Sequence, residues 1–291
     1  MKLIAFLLLF ATTTLFANEA VLIDFSKLAA NNDGQHRETT LDFGGDGVPE
    51  PMRRAMMTSL AIENWSVQLN TSARFISNME NSMVRQAPSR QHGTVLGARI
   101  HFPTWANNAY ATIIPPFTVP ILNPAFENGH GIVMNVGLLK EVSINVYGLN
   151  FPHTLFILME DGAGREIRIP MGPLNFEGWR TLTWENPSYI HDVRNRELRL
   201  DPIYPQASSF VRFTGLLLQR NAMHIGGDFI VYFKDVNIIY DKAVLDTESD
   251  IDNEAIWEII QTRENERRGT EVERFRERQM LYFLEQQRMA Q

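Results

Sequence analysis

Seven histidines, at positions 36, 92, 101, 130, 153, 191 and 224, are the side chains best suited to hold a metal or to move a proton near neutral pH. They are scattered along the chain, and none pairs with another at a metal-ligand spacing. There is no cysteine, which removes thiol nucleophiles, cysteine-based zinc sites, iron–sulfur clusters, disulfides and a lipid-modified N-terminal Cys. Glu160 and Asp161 are adjacent, and a strand sends neighbours to opposite faces, so they do not make an acid–base pair. Asp250, Asp252 and Glu254 lack the glycine and the closing glutamate of a calcium loop. Gly44-Gly45-Asp46-Gly47 and Gly129-His130-Gly131 lack the continuation of a phosphate-binding loop and read as turns. Neither Gly-x-Ser-x-Gly nor His-Glu-x-x-His occurs. The sequence offers no catalytic residues, no metal ligands and no cofactor site, and points to a non-enzyme.

The chemistry that remains is contact chemistry. Trp65 alternates with Val67 and Leu69 and reads as core, and Trp179 and Trp184 point to opposite faces of one strand. Trp105, before Asn107-Asn108 and Tyr110, reads as an exposed loop aromatic. Pro115-Pro116-Phe117-Thr118-Val119-Pro120 cannot be a central strand and reads as a covering loop or a contact edge carrying Phe117. Asp192, Arg194, Arg196, Glu197, Arg199 and Asp201 read as a self-neutralising surface, or as an arginine seam between subunits through Arg194 and Arg196. Trp257, Phe275, Tyr282 and Phe283 supply aromatics to the C-terminal segment.

The elements that position these groups are mostly strands. Leu96, Ala98, Ile100 and Phe102 alternate with Arg99 and His101, and Val142, Ile144 and Val146 alternate with Ser143, Asn145 and Tyr147. Asp161-Gly162-Ala163-Gly164 predicts a hairpin turn between Leu155–Glu160 and Arg165–Ile169. Phe229–Tyr240 is apolar on both faces and predicts a strand in the middle of a sheet. Together these imply a mainly β fold: an antiparallel β-sandwich of jelly-roll or galactose-binding-like type over residues 18–245. Pro51, with Met52, Met56 and Leu60 at four-residue spacing, predicts one early helix, and five methionines between 52 and 83 read as core filler, with an adaptable contact surface as the alternative.

Residues 246–291 hold 12 acidic and 7 basic residues and no proline, and predict an amphipathic helical tail. A first helix is expected from Asp250 or Asp252, burying Ile256, Trp257, Ile259 and Ile260. Gly269 is expected to break it, with Thr270 and Glu273 capping a second helix and Glu264 pairing with Arg268. The tail then either folds back on its own sandwich or offers a partner-binding face. Residues 1–17 read as a signal peptide: Met1-Lys2, an apolar run from Leu3 to Phe16, and cleavage after Ala17. The mature chain has 26 basic and 34 acidic residues, which gives no electrostatic reason to bind nucleic acid or an anionic membrane. Arginine outnumbers lysine 22 to 5, a bias that suits ordered interfaces.

Gly97-Ala-Arg-Ile-His-Phe-Pro103, Ile114-Pro-Pro-Phe117 and Val146-Tyr-Gly-Leu-Asn150 stand in order along the chain. Phe176-Glu-Gly-Trp179, Trp184-Glu-Asn-Pro187, Tyr189-Ile-His-Asp-Val-Arg-Asn-Arg-Glu-Leu198 and Gly226-Gly-Asp-Phe-Ile230 follow, ending at Tyr240-Asp-Lys-Ala243. This series resembles the flagellar filament outer layer (sheath) proteins of spirochaetes, the FlaA family, over about Val21–Ala243. The resemblance implies a structural protein of the periplasm that coats the flagellin core of a periplasmic flagellum and influences its stiffness, shape and motility. Its partners would be core flagellins and other sheath subunits, with no active site. Absence of long heptad-bearing helices at both ends agrees, because a self-polymerising core flagellin needs them. Two other classes compete: a periplasmic carbohydrate-binding module using Trp105 and Tyr110, and an enzyme using carboxylates such as Asp161 or Asp228.

Overall fold

The computed structural model describes residues 18–29, 39–42, 48–105, 107–116, 120–123, 126–189, 204–206, 208–244 and 250–290. Residues 1–17, expected as a leader, residues 44–47, expected as a turn, Phe117, and the Asp192–Asp201 segment with Arg194 and Arg196 lie outside them.

The elements run in chain order as follows. β1 (Asn18–Asp24) and β2 (Thr40–Asp42) precede α1 (Glu50–Met56), β3 (Met57–Ser59) and β4 (Ser66–Leu69). α2 (Ile76–Glu80), β5 (Met83–Ser89), β6 (Gly93–Phe102), β7 (Tyr110–Ile114) and β8 (Ile132–Met134) follow. β9 (Val136–Leu149), β10 (Thr154–Asp161), β11 (Glu166–Pro173), β12 (Glu177–Glu185), β13 (Phe210–Gln219) and β14 (Gly227–Lys242) complete the strands. α3 (Asn253–Trp257) and α4 (Ile259–Met289) form the tail.

The strands make two large antiparallel sheets. The first has the order β12-β9-β14-β6-β5, with β1 also on β14; the second has β11-β10-β13-β7-β4, with β8 on β13. β14 lies at the centre of the first sheet, as its two-sided apolar pattern requires. Between the sheets the expected alternation holds. Leu96, Ala98, Ile100 and Phe102 are buried with Val142, Ile144 and Val146, and they face Leu155, Ile157, Met159 and Phe213. Arg99 and His101 sit on the outer face. Trp65 is core: its indole N–H donates to the Leu60 carbonyl at 2.8 Å, and its ring meets Phe25 edge-on at 5.3 Å. The β10–β11 hairpin forms where predicted. Its turn is organised by Asp161, whose Oδ1 accepts from the backbone N–H groups of Ala163 and Arg165, each at 2.9 Å.

Five local expectations are corrected. The early helix α1 starts at Glu50 with proline in its first turn but stops at Met56, because Met57–Ser59 pairs as a strand with β2; Leu60 is buried beyond it. Of the five methionines, only Met56 is fully buried, while Met57 and Met79 are exposed. In the tail, Asp252 caps α3 through the Ala255 N–H at 3.0 Å as expected, yet Gly269 breaks nothing. The break falls at Glu258, in the left-handed region at φ 49°, and α4 then runs unbroken for 31 residues, about 46 Å. One glycine costs a helix only about 1 kcal/mol, which the packing of a long helix outweighs. Ile256 and Trp257 are 60% and 65% exposed rather than buried. Glu264 accepts from the Ser208 hydroxyl at 3.1 Å instead of pairing with Arg268.

Candidate functional site

Helix α4 folds back on its own sandwich over its first half. Phe275, 7% exposed, is buried in the main core, and Val272 packs beside it. Around this contact lies a polar clamp. Arg212 of β13 bonds Glu160 of β10 at 3.0 Å and Glu271 of α4 at 3.2 Å, and donates to the Pro120 carbonyl. Glu271 also accepts from the Leu122 N–H at 2.8 Å. Arg267 donates to the Gly162 carbonyl and stacks over Phe210, 4.6 Å from the ring centre. Phe275 therefore marks the face that the helix turns to its own sandwich. The second half of α4 differs: Leu281, Tyr282, Leu284 and Met289 are all exposed, and Phe283 is half-buried. Between α4, β3, β4 and the end of β7 lies a cleft of about 890 Å³, whose helix wall carries Arg274, Arg278 and Tyr282.

A second exposed apolar group sits at one end of the sandwich. Trp105, 53% exposed, meets Phe75 edge-on at 5.3 Å; Ile76 and Met79 are exposed on α2, and Met223 and Ile225 on the loop before β14. Tyr110, 43% exposed, opens β7, opposite Gln219. Buried Arg220 ties these loops together. It donates to the Trp105 carbonyl at 2.7 Å, to Asn107 Oδ1 at 3.0 Å and to the His224 carbonyl. Gly226 presses against Pro103: a Cβ there would lie 1.6 Å from the Pro103 oxygen. Under the loops, His153 and His224 approach to 5.0 Å between ring centres. Burial, then electrostatic repulsion from the neighbouring His224 and Arg220, pushes His153 down to about 4, so it is neutral at pH 7. No sequence spacing signals this pair, which comes from β-strand topology joining residues 71 positions apart.

On the outer face of the first sheet, Trp179, Tyr147 and Tyr232 lie in one cross-strand row, with Gly97 beneath Tyr232. They pack edge-on against each other at 5.5 and 5.9 Å, and His92 covers Trp179 at 4.6 Å. The row thus largely satisfies itself. Trp184, across the strand, packs partly into the core. Nearby, Asp228 is bonded by Arg99 at 2.8 Å and by His101 at 2.8 Å. Those hydrogen bonds hold its carboxyl below the usual carboxylate range. Burial would raise Asp161, but hydrogen bonds from Arg165 and Ala163 outweigh it and lower it too. Both carboxylates candidate for catalysis are therefore ionised and already partnered. Among the described residues no group of three His, Asp or Glu side chains could hold a metal, and no helix is long and apolar enough to cross a membrane.

Comparison with known proteins bears on these surfaces. The family model described as flagellar filament outer layer protein FlaA matches residues 18–249. The flagellar filament outer layer protein of Spirochaeta aurantia is 40% identical over 298 residues, covering 94% of this chain and 88% of its own. That of Treponema pallidum (strain Nichols) is 41% identical over 313 residues, covering 94% and 89%. Alignments of that extent take in most of the helical tail as well as the sandwich. Among solved structures, a family 11 carbohydrate-binding module of a Clostridium thermocellum cellulase is similar over 78% of this chain and 96% of its own, at 9% identity and a TM-score of 0.35. The chain belongs to the flagellar filament outer layer protein family, FlaA.

Proposed function

We propose that this protein is a structural subunit of the layer that covers the flagellin core of a spirochaete's periplasmic flagellar filament. The family match over residues 18–249 carries the reading. The surfaces support it in kind. A coat subunit needs stiff, repeated, individually modest contacts, because each neighbour raises the effective concentration of the next. Trp105 and its neighbours present apolar area on loops locked by Arg220, and the far half of α4 presents a second such area. Asp161 and Asp228, spent on internal hydrogen bonds, support a non-enzymatic role. Residues 1–17 act as an export signal cleaved after Ala17, which delivers the chain to the periplasm and leaves 18–245 as the sandwich and 246–291 as the tail.

Co-sedimentation of chain 18–291 with purified flagellin core filaments tests this. Saturable pelleting is expected, and soluble folded protein left wholly in the supernatant would overturn it. The carbohydrate-binding reading rests on Trp105 and Tyr110 and predicts saturable glycan binding that Trp105→Ala abolishes. It ranks second because the exposed Trp105 packs edge-on against Phe75, beside a helix that exposes Ile76 and Met79, an apolar surface suited to protein contact.

A further inference from the structure

The cleft beside α4 is electrostatically incomplete. Arg274, Arg278 and Tyr282 stand one turn apart on the same helix face and form one of its walls. Neither arginine has an ion-pair or hydrogen-bond partner among the described residues. The acids that line the cleft, Glu160 and Glu271, are both held by Arg212, and Thr58, Ser59, Asn64 and Ser66 opposite are uncharged. With Arg212, Arg274 and Arg278 against Glu160 and Glu271, the cleft carries a net charge of +1, and its two arginines without partners stand on the helix wall above an apolar floor of Phe275, Ile114 and Pro115. Its volume of about 890 Å³ takes several side chains.

The same chain carries a segment of opposite charge. Residues 250–258 hold four acids, Asp250, Asp252, Glu254 and Glu258, and no base. From this turn Ile256 and Trp257 project, 60% and 65% exposed. The left-handed Glu258 fixes it as a knuckle at the start of α4. It cannot fill its own cleft. Arg274 and Arg278 lie 17 and 21 residues beyond Trp257 along one unbroken helix, about 25–32 Å away.

We propose that the acidic, aromatic knuckle 250–258 of one copy docks into the Arg274/Arg278/Tyr282 cleft of the next, joining subunits head to tail. The inference rests on the coat reading and specifies how coat subunits contact one another. Knuckle and cleft are different surfaces, so the contact is heterologous and propagates instead of closing as a two-fold dimer. Trp257 is the apolar anchor and the arginine pair sets register and partner choice.

The absence of cysteine gives a clean test. Ala255→Cys and Gln279→Cys are made singly and together, bound to core filaments, oxidised and run on non-reducing gels. The mixed single variants are expected to form dimers, each single variant alone to stay monomeric, and the double variant to give a ladder. Arg274→Glu with Arg278→Glu in the double variant should cut the ladder at least tenfold, and adding Asp250→Lys with Glu258→Lys should restore it. Pelleting without a ladder overturns the inference and leaves the coat reading standing, as does dimerisation of either single variant alone. A photo-crosslinker at position 279 that captures flagellin instead of a second copy also overturns it. If nothing pellets, the coat reading fails, and the ladder is sought in solution at the same protein concentration; its absence there overturns the inference as well.

Discussion

Arg212 and Glu271 meet side chain to side chain at 3.2 Å, across 59 residues of sequence, with 13% and 19% of their side-chain surfaces exposed. Arg212 also neutralises Glu160, so one guanidinium holds two carboxylates and fixes the tail helix to the second sheet. Replacing Arg212 by Met should cost about 3 kcal/mol, because it leaves two largely buried carboxylates unpaired. Glu271→Gln should cost far less, because the amide oxygen can still accept from Leu122 N–H and one charge fewer is left to neutralise. Chemical denaturation of both variants checks the order, and an equal loss would contradict it.

Phe275 is the apolar half of the same attachment. Phe275→Ala should destabilise the protein by about 3–4 kcal/mol, the cost of a cavity in a close-packed core. A chain ending at residue 249 should lose solubility or melt markedly lower, since removing α4 uncovers Phe210 and Arg212 on the second sheet. An unchanged melting temperature would mean that the helix is only loosely laid on the sandwich.

His153 makes stability depend on acid. Its folded value is about 4 against an ordinary 6.5, so the folded state takes up its proton later than the unfolded chain does. The associated stability is fully present above pH 6.5 and is lost as the pH falls from there towards 4, by about 3 kcal/mol at most. His153→Gln keeps an acceptor for the Asn221 N–H and should flatten this part of the profile. Melting temperatures between pH 7.5 and pH 4 would show it; parallel profiles for variant and parent would refute the assignment.

Two glycines should respond in opposite directions. At Gly226 an added Cβ would lie 1.6 Å from the Pro103 oxygen, so Gly226→Ala must push the two loops apart and loosen the Arg220 clamp under Trp105. At Gly269, mid-helix with open space around its Cα, alanine should stabilise by about 1 kcal/mol. Thermal melts of the two variants report both signs.

The sandwich was legible because a buried sheet writes period-two alternation into the chain, as Leu96–Phe102 and Val142–Val146 do. The place of β14 at the centre was readable from its two apolar faces. The tail was readable as helical but not in its details. A glycine propensity of about 1 kcal/mol at Gly269 is visible locally, while the packing of Phe275 that overrides it is not. The exposure of Ile256 and Trp257 was illegible for the same reason: apolar residues beside a helix start look like core until the sandwich's position is known. Trp105 could be placed on an exposed loop from its asparagine-rich surroundings. Arg220, His153 and Arg212 gave no local sign, since their roles come from strands brought together across long separations.

One pairing has consequences for how the chain is made. β1 lies against the C-terminal part of β14, with Asn18 opposite Tyr240, 222 residues later. A chain that emerges from its N-terminus therefore holds β1 without its partner until nearly the whole sandwich has been synthesised. Contacts of such sequence separation form only after their loop-closure entropy has been met, and sheets built on them fold slowly. The first sheet is thus completed late, by the strand on which β1, β6 and β9 all depend. During that interval an open strand edge faces the solvent, and it is then that the chain is most exposed to pairing with a second copy of itself.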